Sequence, residues 1–597
     1  TSAIDPVTGN PVSGTGEAFA SMLLGQAFST TQTLPFHPQF YEGYFSPWIN
    51  DEFKATSRLT LTFGLRFDYQ RARTESQNRY STFDPNTPNP GAGGLPGAVI
   101  FAGHCSGCVG RNTFEDPNHN AWGPRIGFAY RVDDKTAIRG GYGMYYSGIA
   151  FSQFQGDPTM GYTSNPTVPN IFNGRQPALP NQTSGVLDGF DYGFPATNVA
   201  CPGGLPTSPC INYPPFIDPT IANGGSPLAV PKNGLTLPRY QNWSLTFERE
   251  LAKNMRLDIS YIANRGTRLP ATWQAMGLDA NMNDPSVLSL GSAVLNSPCN
   301  SAVAVNNTCA GGVPLPYSNF NGNVAQALRK YPQYQNIIWR GVPLGSSMYN
   351  ALEVVLEQRV TNGLQFRIGY TYSKLHNDGS ETGQSGDGRN ARIQNPACPH
   401  KCEWGLSDDD TPNVFLVGYT WEIPGAKHFT GAAGALLGGW NLSGVLRYES
   451  GRPLNIIMDN SAFGGFLFNP QRRPDRVKGV SARAKVQGSF YNPLRQNYFN
   501  GAAWSDPGAN PFGNAPRADG TARGFPTYNE DMSVFKTFTL KPEQLKMRFE
   551  AQFGNIFNRT DFCNPSTFWS PGVTSFGAIG TQCNYARSVQ FGLKFSY

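Results

Sequence analysis

The chain has 597 residues, with 67 Gly, 48 Pro, 13% aromatic and only 15% charged residues, and a formal net charge of +6. That mixture suits many strands joined by Gly/Pro-rich loops, and so mild a charge leaves no electrostatic footprint for nucleic acid. No run of 18 apolar residues occurs, which excludes a helical membrane span but not a barrel, where only every second strand residue faces lipid.

Residues 1–38 read as a segment leading into the fold, and 39–597 as the fold itself. Residue 1 is Thr, and no basic region followed by an apolar one is present, so either a signal has been removed or the chain is a fragment. The first strong element is a hairpin at 40–53 with 58–72. In it Leu59, Leu61, Phe63, Leu65, Phe67 and Tyr69 alternate with Thr60, Thr62, Gly64, Arg66 and Asp68. Further hairpins follow at 122–132 with 136–147 and at 239–251 with 255–264. The next, 347–360 with 364–375, carries Leu364, Phe366, Ile368, Tyr370 and Tyr372 on one face. The pair 412–424 with 437–449 shows the stripe Phe415, Val417, Tyr419, Trp421 and Ile423. The pair 530–540 with 545–557 shows Met547, Phe549, Ala551 and Phe553. The last strand sets Val589, Phe591, Leu593, Phe595 and Tyr597 against Gln590, Gly592, Lys594 and Ser596.

Within pairs the connections are mostly short and have turn chemistry: Asp133-Asp134-Lys135, Ala252-Lys253-Asn254, Thr361-Asn362-Gly363 and Lys541-Pro542-Glu543-Gln544. Between pairs they are long. Short turns on one side and long loops on the other predict an all-β fold. The expected form is an antiparallel transmembrane β-barrel with periplasmic turns and extracellular loops, set in outer-membrane lipid. A soluble β-sandwich or propeller would also alternate, but its strands usually run about 5–6 residues. Tyr41, Tyr44, Trp48, Trp122, Trp243, Trp421, Trp440 and Tyr448 are expected to form interfacial girdles on the apolar face.

Ten cysteines form five close pairs, all in long connections: Cys105/Cys108, Cys201/Cys210, Cys299/Cys309, Cys398/Cys402 and Cys563/Cys583. Local, even pairing predicts structural disulfides made in an oxidising compartment. Metal binding is the competing reading, since His104 and His400 sit beside two of the pairs. A zinc site needs about four ligands, however, and no spacing rule joins the two segments.

At this point the residues resemble a known family, the C-terminal barrel of Oar-like TonB-dependent transporters, a group abundant in Acidobacteria. The resemblance runs from about residue 17 to the end. Phe19-Ala20-Ser21-Met22-Leu23-Leu24-Gly25 is similar to the family's "FADFLLG", and Arg58 to Asp68 to its "RLTLNLGLRYD" strand. Tyr349-Asn350-Ala351-Leu352 with Gly369 to Lys374 resembles "YNAL…YTYSK". Gly439 to Gly444 with Ser450-Gly451-Arg452-Pro453 resembles "GWxLSG…SGxP". Phe549 to Phe553 with Asn555 to Asn558 resembles "FRAEFFNLFN". One departure is visible. The family's "SDFDRRHxF" reads here Ser407-Asp408-Asp409-Asp410-Thr411-Pro412-Asn413-Val414-Phe415, so its basic and His positions are gone. We expect a solvated loop end there, with calcium as the competing reading. The ending, with Gly592, Phe595 and Tyr597, resembles the signal read by the barrel assembly machinery.

Six hairpins and the closing strand make 13 strands, and residues 26–36 are a candidate for an outward strand before them, giving about 14. Family barrels have about 22 strands around a plug. The resemblance thus implies that strands, plug and TonB-contacting segment lie upstream, and that TonB powers movement of a large substrate, an oligosaccharide, peptide or protein. The alternative is a complete, porin-like passive channel of 14–16 strands, with lumen charges such as Arg66, Asp68, Arg367, Arg548 and Glu550. Loop aromatics Tyr317, Phe320, Tyr331, Tyr334, Trp339 and Trp504 could stack on substrate or fold the loops together. No substrate-binding residue, cofactor or metal site is assigned. No GxSxG elbow, HExxH helix or P-loop is present, and the six His fall outside the strands, with His376 just past one, so an enzyme is not expected.

Overall fold

The computed structural model describes residues 12, 18–23, 29–31, 37–149, 158–163, 167–169, 214–271, 281–339, 341–378, 394–395, 398, 402–424, 431–469, 471–488, 491–541 and 545–596. They fall into two compact units. One comprises Thr1–Glu42, Arg73–Phe114 and Gly156–Ala229, the other Gly43–Ala72, Glu115–Gln155 and Val230–Tyr597.

The second unit is built on one antiparallel meander. Its strands are β1 (Trp48–Lys54), β2 (Leu59–Phe67), β3 (Trp122–Arg131), β4 (Thr136–Tyr146), β5 (Arg239–Ala252), β6 (Met255–Ala271) and β7 (Val342–Thr361). They continue with β8 (Leu364–Asn377), β9 (Asn413–Glu422), β10 (Trp440–Glu449), β11 (Thr527–Lys541), β12 (Leu545–Gly554) and β13 (Ser588–Ser596). Each pairs with the next in chain order, and Gly405–Leu406 adds a short fourteenth member beside β8. Strands β5, β6 and β7 run 14, 17 and 20 residues, far beyond globular habit. Tight turns close the hairpins β1–β2, β3–β4, β5–β6 and β7–β8, whereas β9 and β10 are joined through the helix Gly431–Leu437. Asn362 and Gly363 both take positive φ, 52° and 80°, which is the primed-turn geometry that matches strand twist.

Register makes the two faces continuous. Phe63 lies opposite Ile126, Ile138 opposite Phe247, Ile259 opposite Val354, Ile368 opposite Val417, and Phe549 opposite Leu593. On this apolar face Phe63, Ile126, Leu245, Tyr261, Phe591 and Phe595 are all exposed. The buried apolar clusters lie instead in the long loops. One gathers Leu454, Ile456, Phe499, Trp504, Trp569 and Phe576, another Leu295, Cys299, Phe320 and Val324. A sheet whose greasy side is bare while its loops hold the cores fits a hydrocarbon solvent and not water.

Four expectations need correction. The strand expected at 40–53 is divided. Phe40–Tyr41 pairs Thr74–Glu75, Tyr44–Phe45 pairs Tyr69–Gln70, and Trp48–Lys54 pairs β2. Pro47 has no N–H to give a ladder. Residues 26–36 do not add a strand to the meander: Ser29–Thr31 pairs Thr167–Pro169, and the rest lie outside the described residues. His376 lies within β8, not beyond it. The girdle is also smaller than expected. Trp48 is opposite Arg66 and Tyr44 opposite Gln70, the register of the polar face, whereas Trp122, Trp243, Trp421, Trp440 and Tyr448 share the apolar one.

In the first unit, Ser81–Pro88 and Pro96–Phe101 form a hairpin. Tyr80, Phe83, Val99 and Phe101 are its buried core. Asn89 organises the turn. Its Oδ1 accepts from the Gly91 N–H at 3.0 Å and its Nδ2 donates to the Gly97 carbonyl at 3.1 Å.

Candidate functional site

The polar face of the meander has two unlike halves. On β4 to β8 it is a belt of ion pairs. Arg139 meets Glu248 at 3.3 Å, Arg256 meets Asp258 at 3.0 Å and Glu357 at 3.4 Å, and Arg367 meets the same Glu357 at 3.6 Å. These side chains are solvated, so each pair contributes little to stability. Their effect is to balance the charge of that wall.

On β8 to β13 the described ion pairs are fewer, Arg447 with Glu449 and Arg548 with Glu550, and one row across the face is uncharged. Gln365 is opposite Thr420, Thr420 opposite Ser443, Ser443 opposite Ser533, Ser533 opposite Gln552, and Gln552 opposite Gln590. Cross-strand partners project to one side, so these six residues make a transverse row. All six line a hollow of about 880 Å³. Ser533 Oγ and Gln552 Nε2 donate to Glu550 Oε1 at 3.0 and 2.9 Å. Arg548 pairs with Glu550 at 3.3 Å and lies over the Phe535 ring at 3.9 Å.

Of the expected lumen charges, Arg367, Arg548 and Glu550 lie on this face, already paired. Asp68 does not: it is buried just past β2 and its Oδ1 accepts from Tyr44 Oη, Ser46 Oγ and Arg66 Nε at 2.6, 2.7 and 2.8 Å. Burial, together with the hydrogen bond and charge of Asp68, pushes the Tyr44 phenol up to about 12 against the opposing pull of Arg66.

The long loops hold a buried ionic network. Arg473 grips Glu403 with two hydrogen bonds, of 2.7 and 3.0 Å. Arg523 reaches Asp410 Oδ2 at 2.6 Å, the Asp410 carbonyl at 3.0 Å and the Gly451 carbonyl at 3.1 Å. Arg452 pairs with Asp409 at 3.0 Å. Arg517 donates to the carbonyls of Glu403 and Asn377, and burial pushes its guanidinium down, against the pull of Asp408 and Glu403. Glu403, Asp409 and Asp410 are thereby tied to Arg452, Arg473, Arg517 and Arg523. The aspartate run is thus not a solvated loop end, because Asp408 and Asp410 are buried and arginines from a distant segment take the charges of Asp409 and Asp410. Among the described residues no cluster suited to a metal occurs.

The loop aromatics fold inward. Phe320, Tyr331, Tyr334 and Trp504 are buried, and Trp504 packs on Phe499 and Phe576. Disulfides join Cys105 to Cys108, Cys299 to Cys309, Cys398 to Cys402 and Cys563 to Cys583. Cys201 and Cys210 lie outside the described residues, as does Tyr597, whereas Gly592 and Phe595 sit in β13. The neutral row and the ionic network were not found from sequence. Period-two alternation marks which residues share a face, but no local signal sets the register across strands.

A bare apolar face, a polar inner face, tight turns on one side and braced loops on the other define the wall of a membrane barrel. The chain belongs to the outer membrane beta barrel domain family, whose model matches residues 4–590, and is a protein of the bacterial outer membrane. No curated protein matches it. Among solved structures it is similar to the ferric preacinetobactin receptor BauA of Acinetobacter baumannii, at 10% identity and TM-score 0.37, covering 99% of this chain and 46% of that one. It is also similar to the siderophore receptor PirA of Acinetobacter baumannii, at 11% identity and TM-score 0.38, covering 93% and 46%. The ferripyoverdine receptor of the outer membrane of Pseudomonas aeruginosa gives 9% identity and TM-score 0.35, covering 93% and 38%. The chain spans less than half the length of each.

Proposed function

We propose that this chain is wall of an Oar-like, TonB-dependent outer-membrane transporter for a large substrate, whose plug and TonB-contacting segment are carried by residues other than these. The barrel assembly machinery would insert it, reading Gly592, Phe595 and Tyr597. The observation that supports this reading most is the state of the sheet edges. Among the described residues, β1 and β13 each pair on one side only, and both are exposed along their whole length. In hydrocarbon an open edge leaves N–H and C=O groups without partners, each at a cost of several kcal/mol. Strands beyond these thirteen would close the wall, and a wider barrel has room for a plug.

The test is the intact mass of the native protein from outer membranes, combined with substrate movement in cells lacking TonB. The expected result is a mass well above 65.0 kDa and movement that stops without TonB. A mass near 65.0 kDa with passive solute flow would replace this reading with a porin-like channel.

A further inference from the structure

We infer that the hollow on the polar face of β8–β13 binds a neutral oligosaccharide, with Gln365, Thr420, Ser443, Ser533, Gln552 and Gln590 as the recognising row. This deepens the transport reading above and rests on it.

The argument starts from register. Each of the five contacts along the row is a direct cross-strand pair. With strands about 4.8 Å apart, six side chains span roughly 24 Å. A row of that length fits an extended, repeating ligand better than a compact one.

Chemistry selects the class. Amide and hydroxyl side chains both donate and accept, and so do the hydroxyls of a sugar. Gln365, Thr420, Ser443 and Gln590 make no side-chain hydrogen bond to another described residue, so their capacity is open to a ligand.

Charge selects against the alternatives. The charged side chains lining the hollow are Glu357, Arg359, Arg367 and Asp531, two of each sign. Glu357 is engaged by Arg256 and Arg367. Asp531 accepts from Asn529 Nδ2 at 2.8 Å and from the Asn555 N–H at 2.9 Å. The lining therefore offers no net charge to hold a polyanion or a cationic peptide. Gly418 belongs to the next row, opposite Arg367 and Val445, and a Cβ built there meets nothing within 4 Å. The floor of the hollow is bare backbone at that point, where a sugar ring can approach closely.

The experiment is calorimetric binding to the full-length protein purified from outer membranes. The probes are neutral hexasaccharides of glucose, xylose, mannose and galactose, with a galacturonate hexasaccharide, a neutral hexapeptide and a lysine-rich hexapeptide beside them. At least one neutral hexasaccharide is expected to bind, and the nearly isosteric double variant T420V/S443A is expected to weaken it roughly tenfold. The matched change T246V/S260A, on the charged half of the same face, is expected to leave it unchanged. Both variants are checked for folding by their migration on unheated gels. Three results would overturn the inference: binding of no neutral hexasaccharide, tighter binding of the acidic or peptide probes, or equal effects of the two variants. Binding needs no energy source. Sugar binding that persists while transport proves independent of TonB would remove the transport reading and leave the site standing.

Discussion

Arg473 and Glu403, 70 positions apart in sequence, face each other in a two-pronged ion pair from which solvent is almost wholly excluded, with 4% and 0% of the side chains exposed. Removing one partner from such a pair leaves a buried charge uncompensated, at a cost of about 3–5 kcal/mol. Arg473→Met is therefore expected to loosen the contact between 394–412 and 471–523 while leaving the strands intact. Hydrogen exchange reads this directly: faster exchange in both loop segments, and unchanged protection in β8 to β10. If protection in the loops is also unchanged, the pair does not brace them.

Glu75 gives a pH dependence confined to the first unit. Burial alone would raise its carboxyl. The Arg79 hydrogen bond at 3.0 Å and the backbone N–H groups of Arg79, Gln39 and Gln77 outweigh burial and bring the pKa down to about 2. A carboxylate whose folded pKa is depressed adds stability above its unfolded pKa and loses it as pH falls through the folded one. The contribution, about 3 kcal/mol at pH 7, is expected to be intact above pH 4.5 and gone below about 2. Glu75→Gln should lower the stability of this unit at pH 7 and make no difference at pH 2. A difference that persists at pH 2 would mean the effect is steric.

What the sequence shows and what it hides follows from how far each contact reaches. The stripe Leu59 to Phe67 and the turn Thr361-Asn362-Gly363 are local, and both stand in the structure where alternation and turn chemistry place them. Asp408 to Asp410 look solvated in sequence because their partners, Arg452 and Arg523, come from another loop. Sequence leaves Tyr331 and Tyr334 open to stacking on substrate or to folding the loops together, and Asn281, donating to both of their carbonyls at 3.0 and 2.9 Å, binds them into the loop fold. Gln365 and Gln590 are each recognisable as inward-facing, but that they end one row depends on five strand registers at once.

The bond between Cys563 and Cys583 closes a loop of sequence separation 20, held also by the Cys563 N–H to the Thr581 carbonyl at 3.1 Å and the Cys583 N–H to the Asp561 carbonyl at 2.8 Å. Closing a loop of this size stabilises by about 3 kcal/mol. The double change C563S/C583S is expected to speed hydrogen exchange across 555–587 and to spare β12 and β13. Mass spectrometry of the unreduced wild type should show neither thiol open to alkylation; a free thiol at either position would refute the bond.

The sharpest test of which face meets lipid uses two neighbours on β5. Leu245 lies opposite Gly140 and Tyr261 on the apolar face and is 52% exposed, whereas Ser244 lies opposite Gly141 and Ile262 on the other. Leu245→Arg places a guanidinium in hydrocarbon near mid-strand, at a cost of about 2–4 kcal/mol. Ser244→Arg places the same group against water, where the cost should stay within about 1 kcal/mol. Folded protein recovered from the outer membrane is the readout, because a barrel that inserts poorly is degraded before it accumulates. Loss for Leu245→Arg and normal recovery for Ser244→Arg would assign the faces as described. Equal recovery, or the reverse order, would show that the bare apolar face is covered by protein rather than lipid.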